Sequence, residues 1–171
     1  MAEHWRQQDD EDLSSAASFG RFYRAQLPVV YGYLLRLAGG DQLLAEDLTQ
    51  DTFLTMTAQL KAGREDVANI RWLLVVGRNK FLDHVRRESR RNRTLRLAVS
   101  SLEDGDVNPS RSEVLESMDA LAPLHRAALM MRYVDGMPAE AIARDIGRSV
   151  PATYSLLARA RGELRLQRGE S

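Results

Sequence analysis

The chain has 171 residues, 44% of them hydrophobic, which is enough to bury one medium core or two small ones. Basic and acidic side chains number 24 each, so the net charge does not indicate whether the chain binds nucleic acid. Only the distribution of charge along the chain can indicate this. The chain has no cysteine and three scattered histidines, which excludes disulfides and thiolate metal sites and leads us to expect no metal and no cofactor.

No apolar run approaches the roughly twenty residues that a membrane-spanning helix needs. The N-terminus is followed by acidic residues, where a signal peptide would have an apolar segment. We therefore expect a cytoplasmic protein without membrane insertion.

The first segments are an acidic tail and a helix. Residues 1–16 are polar and include the run Asp9 to Asp12, so they are predicted to form a flexible acidic tail. From Ser18 onwards apolar residues recur mostly at intervals of three and four, which predicts a helix with Ser18 as its N-cap. Pro28 is expected to kink this helix, and Gly39-Gly40 to end it.

A second helix is predicted from Asp41, its N-cap, to Leu60. Its core side carries Leu48 and Met56 among other apolar residues. Four polar residues are gathered within two turns on the other side: Glu46, Asp47, Gln50 and Asp51. Taken alone, this polar side is either a solvated face or a surface for a protein partner.

The central segment, Trp72 to Arg96, begins apolar on every side and becomes strongly basic. Its cations are Arg78, Lys80, Arg86, Arg87, Arg90, Arg91, Arg93 and Arg96, opposed by Asp83 and Glu88. A helix that is apolar all round needs cover from other helices, and closely spaced cations suit nucleic acid because they displace counterions from phosphates. The alternative is a solvated arginine-rich helix end. Trp72 can be either a core residue or an aromatic platform for an unstacked base.

A linker and a second helical domain follow. Residues 97–112 combine acidic residues with Gly105 and Pro109 and lack apolar periodicity, which predicts a flexible linker. Beyond it, a short helix ending at Gly147 and another starting at Ser149 have helix-turn-helix spacing, although an α-hairpin without a nucleic-acid role is an alternative. No strand pattern occurs. The expected fold is all-α, with two small helical domains joined by a flexible linker, the second a helix-turn-helix domain.

Three motifs in chain order give the sequence a family resemblance. They are Ala45 to Phe53, the segment from Trp72 to Arg87, and the segment from Arg132 to Arg161. Together they resemble the sigma factors of bacterial RNA polymerase, the sigma-70 family, and within it the small extracytoplasmic-function (ECF) group. The resemblance implies a tail at 1–16, a region 2 domain at 17–96, a linker at 97–112 and a region 4 helix-turn-helix domain at 113–168.

The resemblance also implies a function, that of an alternative sigma factor. Such a protein is not an enzyme; it binds core RNA polymerase and directs promoter recognition and opening at transcription initiation. The polymerase contacts implied are Glu46, Asp47, Gln50 and Asp51. The implied minus-ten DNA contacts are Trp72, Arg78, Asn79, Asp83, Arg86 and Arg87, and the minus-thirty-five contacts are Ser149, Thr153, Tyr154, Ser155, Arg159 and Arg161. Core polymerase, promoter DNA and an anti-sigma factor are the implied partners.

Two positions depart from the family pattern. Ala152 to Leu156 stands where many members have a run with two cations, so upstream recognition should be weak alone. Gly77 stands where alanine is common, and a glycine costs about 1 kcal/mol in a helix unless close packing requires it. Two rival functions remain open. One is a stand-alone helix-turn-helix regulator that binds duplex DNA tightly without polymerase, and the other is a protein-interaction adaptor without a DNA role.

Overall fold

The computed structural model describes residues 16–98 and 120–167, so the predicted tail and linker lie almost entirely outside the described residues. Regular structure in these two ranges is helical, as the sequence predicted, and no strand occurs there. The helices are α1 (Ala16–Ala38), α2 (Gln42–Lys61), α3 (Ile70–Ala98), α4 (Pro123–Leu129), α5 (Ala139–Ile146) and α6 (Val150–Gln167). A 3-10 turn, Glu65–Val67, precedes α3, and a π-helical turn, Met130–Val134, follows α4. None of the described helices combines the length and apolarity that crossing a bilayer requires.

Contacts group the described residues into two compact units. The first unit contains the residues up to Leu35 together with Asp41–Lys80, and the second contains Arg36–Gly40 together with the residues from Phe81 onwards. The division passes through α1 and α3, so each of these long helices contributes to both units. The domain boundaries expected from the sequence, 17–96 and 113–168, remain a prediction.

The first unit is built by α1, α2 and the start of α3 around a core of apolar side chains. Val30, Leu34, Met56, Val67 and Leu73 are completely inaccessible to solvent. Burying a side chain of this size stabilises a fold by about 1.5–3 kcal/mol. Pro28 lies inside α1 and does not end it, as predicted.

The capping residues predicted for α1 and α2 can be compared with the helix ends in the structure. Asp41 Oδ1 accepts a hydrogen bond from the Leu44 amide at 3.0 Å and caps α2, as predicted. Gly39 and Gly40 end α1 with φ angles of +68° and +78°. The prediction that Ser18 is the N-cap is wrong, because α1 begins at Ala16 and Ser18 lies within it, 4% exposed.

Gly77 in α3 lies where helices approach closely. A Cβ at this position would sit 3.1 Å from Leu34 Cδ2 and 3.2 Å from Thr52 Oγ1. Thr52 is fully buried, and its hydroxyl donates to the Leu48 carbonyl at 2.6 Å. Close packing therefore accounts for a glycine in the helix interior.

The second unit contains the helix-turn-helix motif that the sequence predicted. Ile142 and Ile146 bury the inner side of α5. Gly147 ends α5 in the left-handed conformation, with φ of +69° and ψ of +40°. Ser149 Oγ accepts a hydrogen bond from the Ala152 amide at 3.3 Å at the start of α6. These two capping residues define the turn from which α6 leaves.

The π-helical turn Met130–Val134 was not predicted from the sequence. The Asp135 amide donates to the Met130 carbonyl, five residues back, at 3.0 Å. The turn leaves Tyr133 and Val134 61% and 62% exposed. The residue types of Met130–Val134 suit an ordinary α-helix, so residue type gave no sign of the wider turn.

Candidate nucleic-acid interface and docking helix

One side of α2 presents polar side chains to solvent. Glu46, Asp47, Gln50 and Asp51 are all exposed, and we call these four residues the docking face. The opposite side is closed by buried residues such as Leu48, Phe53 and Met56. The structure thus places the four predicted polymerase contacts together, on the side of α2 that does not serve the core.

Two large apolar side chains lie beside the docking face and were missed by the sequence analysis. Leu43 is 77% exposed and Leu54 is 59% exposed. Leu43 lies four residues before Asp47, and Leu54 lies four residues after Gln50, so all four follow one line along the helix. This spacing was the signal available in the sequence. The pair adds apolar area to a face that is otherwise charged or amide-bearing.

The segment between α2 and α3 is ordered by its own polar groups. Arg64 donates to Asp66 from Nε at 3.2 Å and from Nη2 at 2.8 Å, and this hydrogen bonding lowers the pKa of Asp66. Asn69 Nδ2 donates to the Asp66 carbonyl at 2.8 Å, and Asn69 Oδ1 accepts from the Trp72 amide at 2.8 Å. Asn69 therefore ties the loop to the first turn of α3. The Trp72 side chain is partly buried at this junction.

The polar residues of α3 divide between two sides of the helix. Asn79, Asp83 and Arg87 are exposed, whereas Arg78 is only 5% exposed. Arg78 lies four residues before the buried Leu82, so it shares the core side of α3. The guanidinium of Arg78 is thus enclosed by protein in this structure, and a DNA contact by Arg78 stays a prediction.

Arg86 is engaged by two partners. Its Nη1 donates to Asp83 Oδ1 at 2.6 Å, and its Nη2 donates to the backbone carbonyl of Asp145 at the end of α5. The neighbouring Arg87 donates from Nε to the Asp83 carbonyl at 3.3 Å. Asp83 thus offsets part of the positive charge of this turn and orients both arginines.

The predicted recognition helix, α6, also has two sides. Tyr154 is 57% exposed, and Ser149, Ser155, Arg159 and Arg161 are exposed as well. Thr153 is fully buried, and its hydroxyl donates to the Ser149 carbonyl at 3.0 Å. Thr153 therefore lies on the buried side of α6, and its DNA contact stays a prediction. Positions 153, 156, 157 and 160 form the buried stripe of α6, and helical periodicity could have placed Thr153 in it.

These surfaces supply groups for binding. The docking face offers carboxylates and an amide, the exposed side of α3 offers an amide and cations, and that of α6 offers hydroxyls, a phenol and cations. Guanidinium groups can pair with phosphates, and small polar groups can reach base edges. Among the described residues, no three side chains are grouped in a way that could hold a metal ion.

Comparison with known families matches two regions in chain order. Residues 22–91 match the family described as Sigma-70 region 2. Residues 111–164 match the family described as Sigma-70, region 4. The first match spans the docking face and the exposed side of α3, and the second spans the helix-turn-helix motif.

Curated relatives extend the likeness over most of the chain. The ECF RNA polymerase sigma factor SigC of Mycobacterium tuberculosis is 32% identical over 161 residues, which are 89% of this chain and 86% of SigC. The ECF RNA polymerase sigma factor BldN of Streptomyces coelicolor is 28% identical over 162 residues, 85% of this chain. The chain spans only 58% of the length of BldN.

The helical fold is also found among solved structures. One of them is that of the sigma factor RpoE in complex with the anti-sigma factor NepR from Bartonella quintana, with a TM-score of 0.54 and 22% sequence identity. The likeness covers 87% of this chain and 95% of that one. This similarity concerns the helical fold.

Proposed function

The chain belongs to the extracytoplasmic-function group of the sigma-70 family, and from this premise we propose that it is an alternative sigma factor. In this function it binds core RNA polymerase and directs promoter recognition and opening for transcription initiation. The observation that carries the proposal is the order of the two family regions, each with its own exposed binding groups. No covalent chemistry is assigned to the chain, because promoter opening requires binding energy alone.

We assign polymerase binding to the docking face, with Asp47 and Gln50 at its centre. Their exposure supports the assignment, as does the line that they form with Leu43 and Leu54. Carboxylates and amides give orientation and specificity, while burying the two leucines adds favourable transfer free energy. This combination suits a helical partner that carries both cations and apolar side chains.

We assign promoter opening to the exposed side of α3. Separating the strands requires that the protein bind the unstacked strand better than the duplex. We assign the contacts with that strand to Asn79, Arg86 and Arg87. The exposure of Asn79 and Arg87 supports the assignment, as do the hydrogen bonds of the two arginines to Asp83. Trp72, partly buried beside the loop of residues 61–69, is the aromatic candidate for an extruded base, and the loop is the proposed wall of its pocket.

We assign the upstream promoter contact to α6. Ser149, Tyr154 and Ser155 lie exposed at its start, and Arg159 and Arg161 follow on later turns. Hydroxyl groups discriminate between bases less strongly than a bidentate arginine, which is worth about 1–3 kcal/mol. Upstream recognition is therefore weak alone and becomes effective when polymerase tethers both regions to one DNA molecule.

Two further properties complete the proposal. The chain acts in the cytoplasm, where polymerase and the chromosome are found. It is held inactive by an anti-sigma factor, a proposal supported by its fold likeness to a sigma factor whose structure was solved with one.

The test is run-off transcription with core polymerase and genomic fragments. We expect transcripts that depend on the added chain and start at defined sites. Nanomolar binding of the chain to duplex DNA without polymerase, combined with no transcript, would instead identify a stand-alone helix-turn-helix regulator.

The docking face is tested by replacing Asp47 and Gln50 together with alanine. We expect about tenfold to hundredfold weaker binding to core polymerase, because a few central residues usually dominate an interface. The melting temperature should be unchanged, since both side chains are exposed. Glu140→Ala, which removes one exposed acid of α5, is the control. Equal affinity of the double variant and the parent in a fluorescence titration would remove the assignment.

A further inference from the structure

An acid of the predicted recognition helix is held by a histidine from another helix. Nδ1 of His125 in α4 lies 2.8 Å from Oε2 of Glu163 in α6, across 38 residues of chain. A carboxylate only accepts hydrogen bonds, so the imidazole is the donor. The His125 side chain is 20% exposed and the Glu163 side chain is 43% exposed, so the contact lies at the edge of the packing between the two helices. We call it the His125–Glu163 pair.

Glu163 stands beside residues to which we assigned the upstream promoter contact. Ser155, Arg159 and Glu163 follow each other at intervals of four residues, which places them on one line along α6. Glu163 also lies three residues after Ala160, which is fully buried, so it stands at the border between the buried side and the exposed side of the helix. The direction of the Glu163 carboxylate therefore decides whether an acid joins the side assigned to DNA.

An acid at this border can weaken DNA binding in two ways. Side chains four residues apart on a helix are neighbours, and opposite charges at this spacing form pairs. A released Glu163 carboxylate would therefore reach the guanidinium of Arg159 and compete with DNA for it. Its negative charge would also repel the phosphates of the DNA. In the structure the carboxylate is instead hydrogen-bonded to His125 of α4.

We propose that His125 is a positioning residue for the upstream promoter contact, because it holds the carboxylate of Glu163 against α4 and leaves Arg159 available to DNA. The inference rests on the proposed function in one respect, namely that α6 binds promoter DNA. It goes further by giving roles to His125 and Glu163, neither of which is assigned to DNA. Since His125 acts only through Glu163, the effect of losing His125 must disappear when Glu163 is absent.

The first test needs no DNA and follows the Arg159 side chain in the free full-length chain. In proton–nitrogen correlation NMR spectra, the Nε–H signal of Arg159 is assigned by its loss in Arg159→Lys. This signal should move in His125→Ala, because the released carboxylate pairs with the guanidinium. It should return towards the parent position when Glu163→Ala is added. An Arg159 signal that does not respond to His125→Ala would overturn the proposal, whatever the chain binds.

The second test measures DNA binding by the holoenzyme, the complex of the full-length chain with core polymerase. The probe is a fluorescein-labelled promoter fragment from the run-off experiment, and binding is followed by anisotropy. His125→Ala should bind about twofold to fivefold more weakly than the parent, a modest loss because an exposed pair at this spacing forms only part of the time. Glu163→Ala should bind as tightly as the parent or more tightly, and the double variant should match Glu163→Ala.

The double variant separates positioning from a merely structural role. It lacks the same packing of His125 as the single variant, so weak binding by both would identify lost packing as the cause and refute the positioning role. Equal weakening by Glu163→Ala and His125→Ala would refute it as well, because a structural pair needs both partners. If His125→Ala fails to fold, His125→Phe replaces it, since phenylalanine keeps an aromatic ring and lacks a hydrogen-bond donor.

A matched control and a conservative variant complete the design. Glu140→Ala removes another exposed acid of the same unit, and its combination with His125→Ala should stay weak. His125→Gln should bind like the parent, because its amide can still donate to Glu163. Absence of any transcript with the parent chain would overturn the proposed function instead, and the NMR test would still decide whether His125 keeps Glu163 away from Arg159.

Discussion

The two helices assigned to DNA, α3 and α6, differ in how they carry charge. On α3 the exposed side concentrates arginines within two turns, with Asp83 orienting two of them. On α6 the exposed side starts with hydroxyl groups and a phenol, and its cations come later. Arginines that contact DNA phosphates add affinity without reading the base sequence. Small polar side chains can read base edges, but each adds little affinity. If the proposed assignments hold, promoter opening and upstream recognition depend on different groups, cations for the first and small polar side chains for the second.

The largest expected effect comes from introducing a cation on the buried side of α6. Thr153→Lys places a charge at a fully buried position, so we expect a loss of several kcal/mol in the free energy of unfolding. Tyr154→Lys, one residue later and 57% exposed, should fold normally and strengthen DNA binding. Thermal unfolding followed by circular dichroism separates the two. A folded, tightly binding Thr153→Lys would show that position 153 faces DNA after all.

The second-largest effect is expected when the arginines of α3 are replaced, and it is compared with the effect of replacing those of α6. Replacing Arg86 and Arg87 with alanine should reduce open-complex formation by the holoenzyme and lower its salt dependence by about one unit for each lost phosphate contact. Replacing Arg159 and Arg161 should weaken promoter association and spare melting once the complex has formed. Permanganate footprinting measures the melted bases directly. Normal melting in the Arg86 and Arg87 double variant would assign those arginines to solvation.

The smallest effect compares one glycine from each helix. Gly162→Ala in α6 meets no atom within 4 Å, so it should raise the free energy of unfolding by up to about 1 kcal/mol through helix propensity. Gly77→Ala in α3 meets Leu34 and Thr52, and the overpacking, typically about 1–3 kcal/mol, should outweigh that gain. Urea unfolding measures both changes. Equal stabilisation by the two variants would mean that the contact at Gly77 relaxes freely.

The sequence predicted the parts of this fold that depend on local physics. Apolar spacing, the Asp41 cap and the Gly147–Ser149 turn all reappear in the structure because each is determined within a few residues. Arg78 was predicted to contact DNA from the family resemblance and Thr153 as a polar residue near the start of α6, and both positions lie on the buried side of their helices. For both residues, helical periodicity indicates the burial that their residue types do not.

Other features could not be predicted from local pattern. The burial of Arg126 depends on the end of a helix that lies 89 residues away in the chain. The π-helical turn at Met130–Val134 depends on one extra residue in a segment whose composition suits an α-helix equally well. Such features are set by tertiary contacts, for which a single sequence carries no periodic signal.

The exposed leucines of α2 have a consequence for how the protein behaves before it meets a partner. Leu43 and Leu54 expose apolar surface to water, and such surface promotes self-association of the free chain at high concentration. The acids between them, Glu46, Asp47 and Asp51, act as gatekeepers, because like charges on two copies repel each other. This electrostatic repulsion weakens as salt shortens the Debye screening length, from about 10 Å at 0.1 M to about 3 Å at 1 M. High-salt storage, a common remedy for proteins that bind nucleic acid, should therefore favour aggregation of this one.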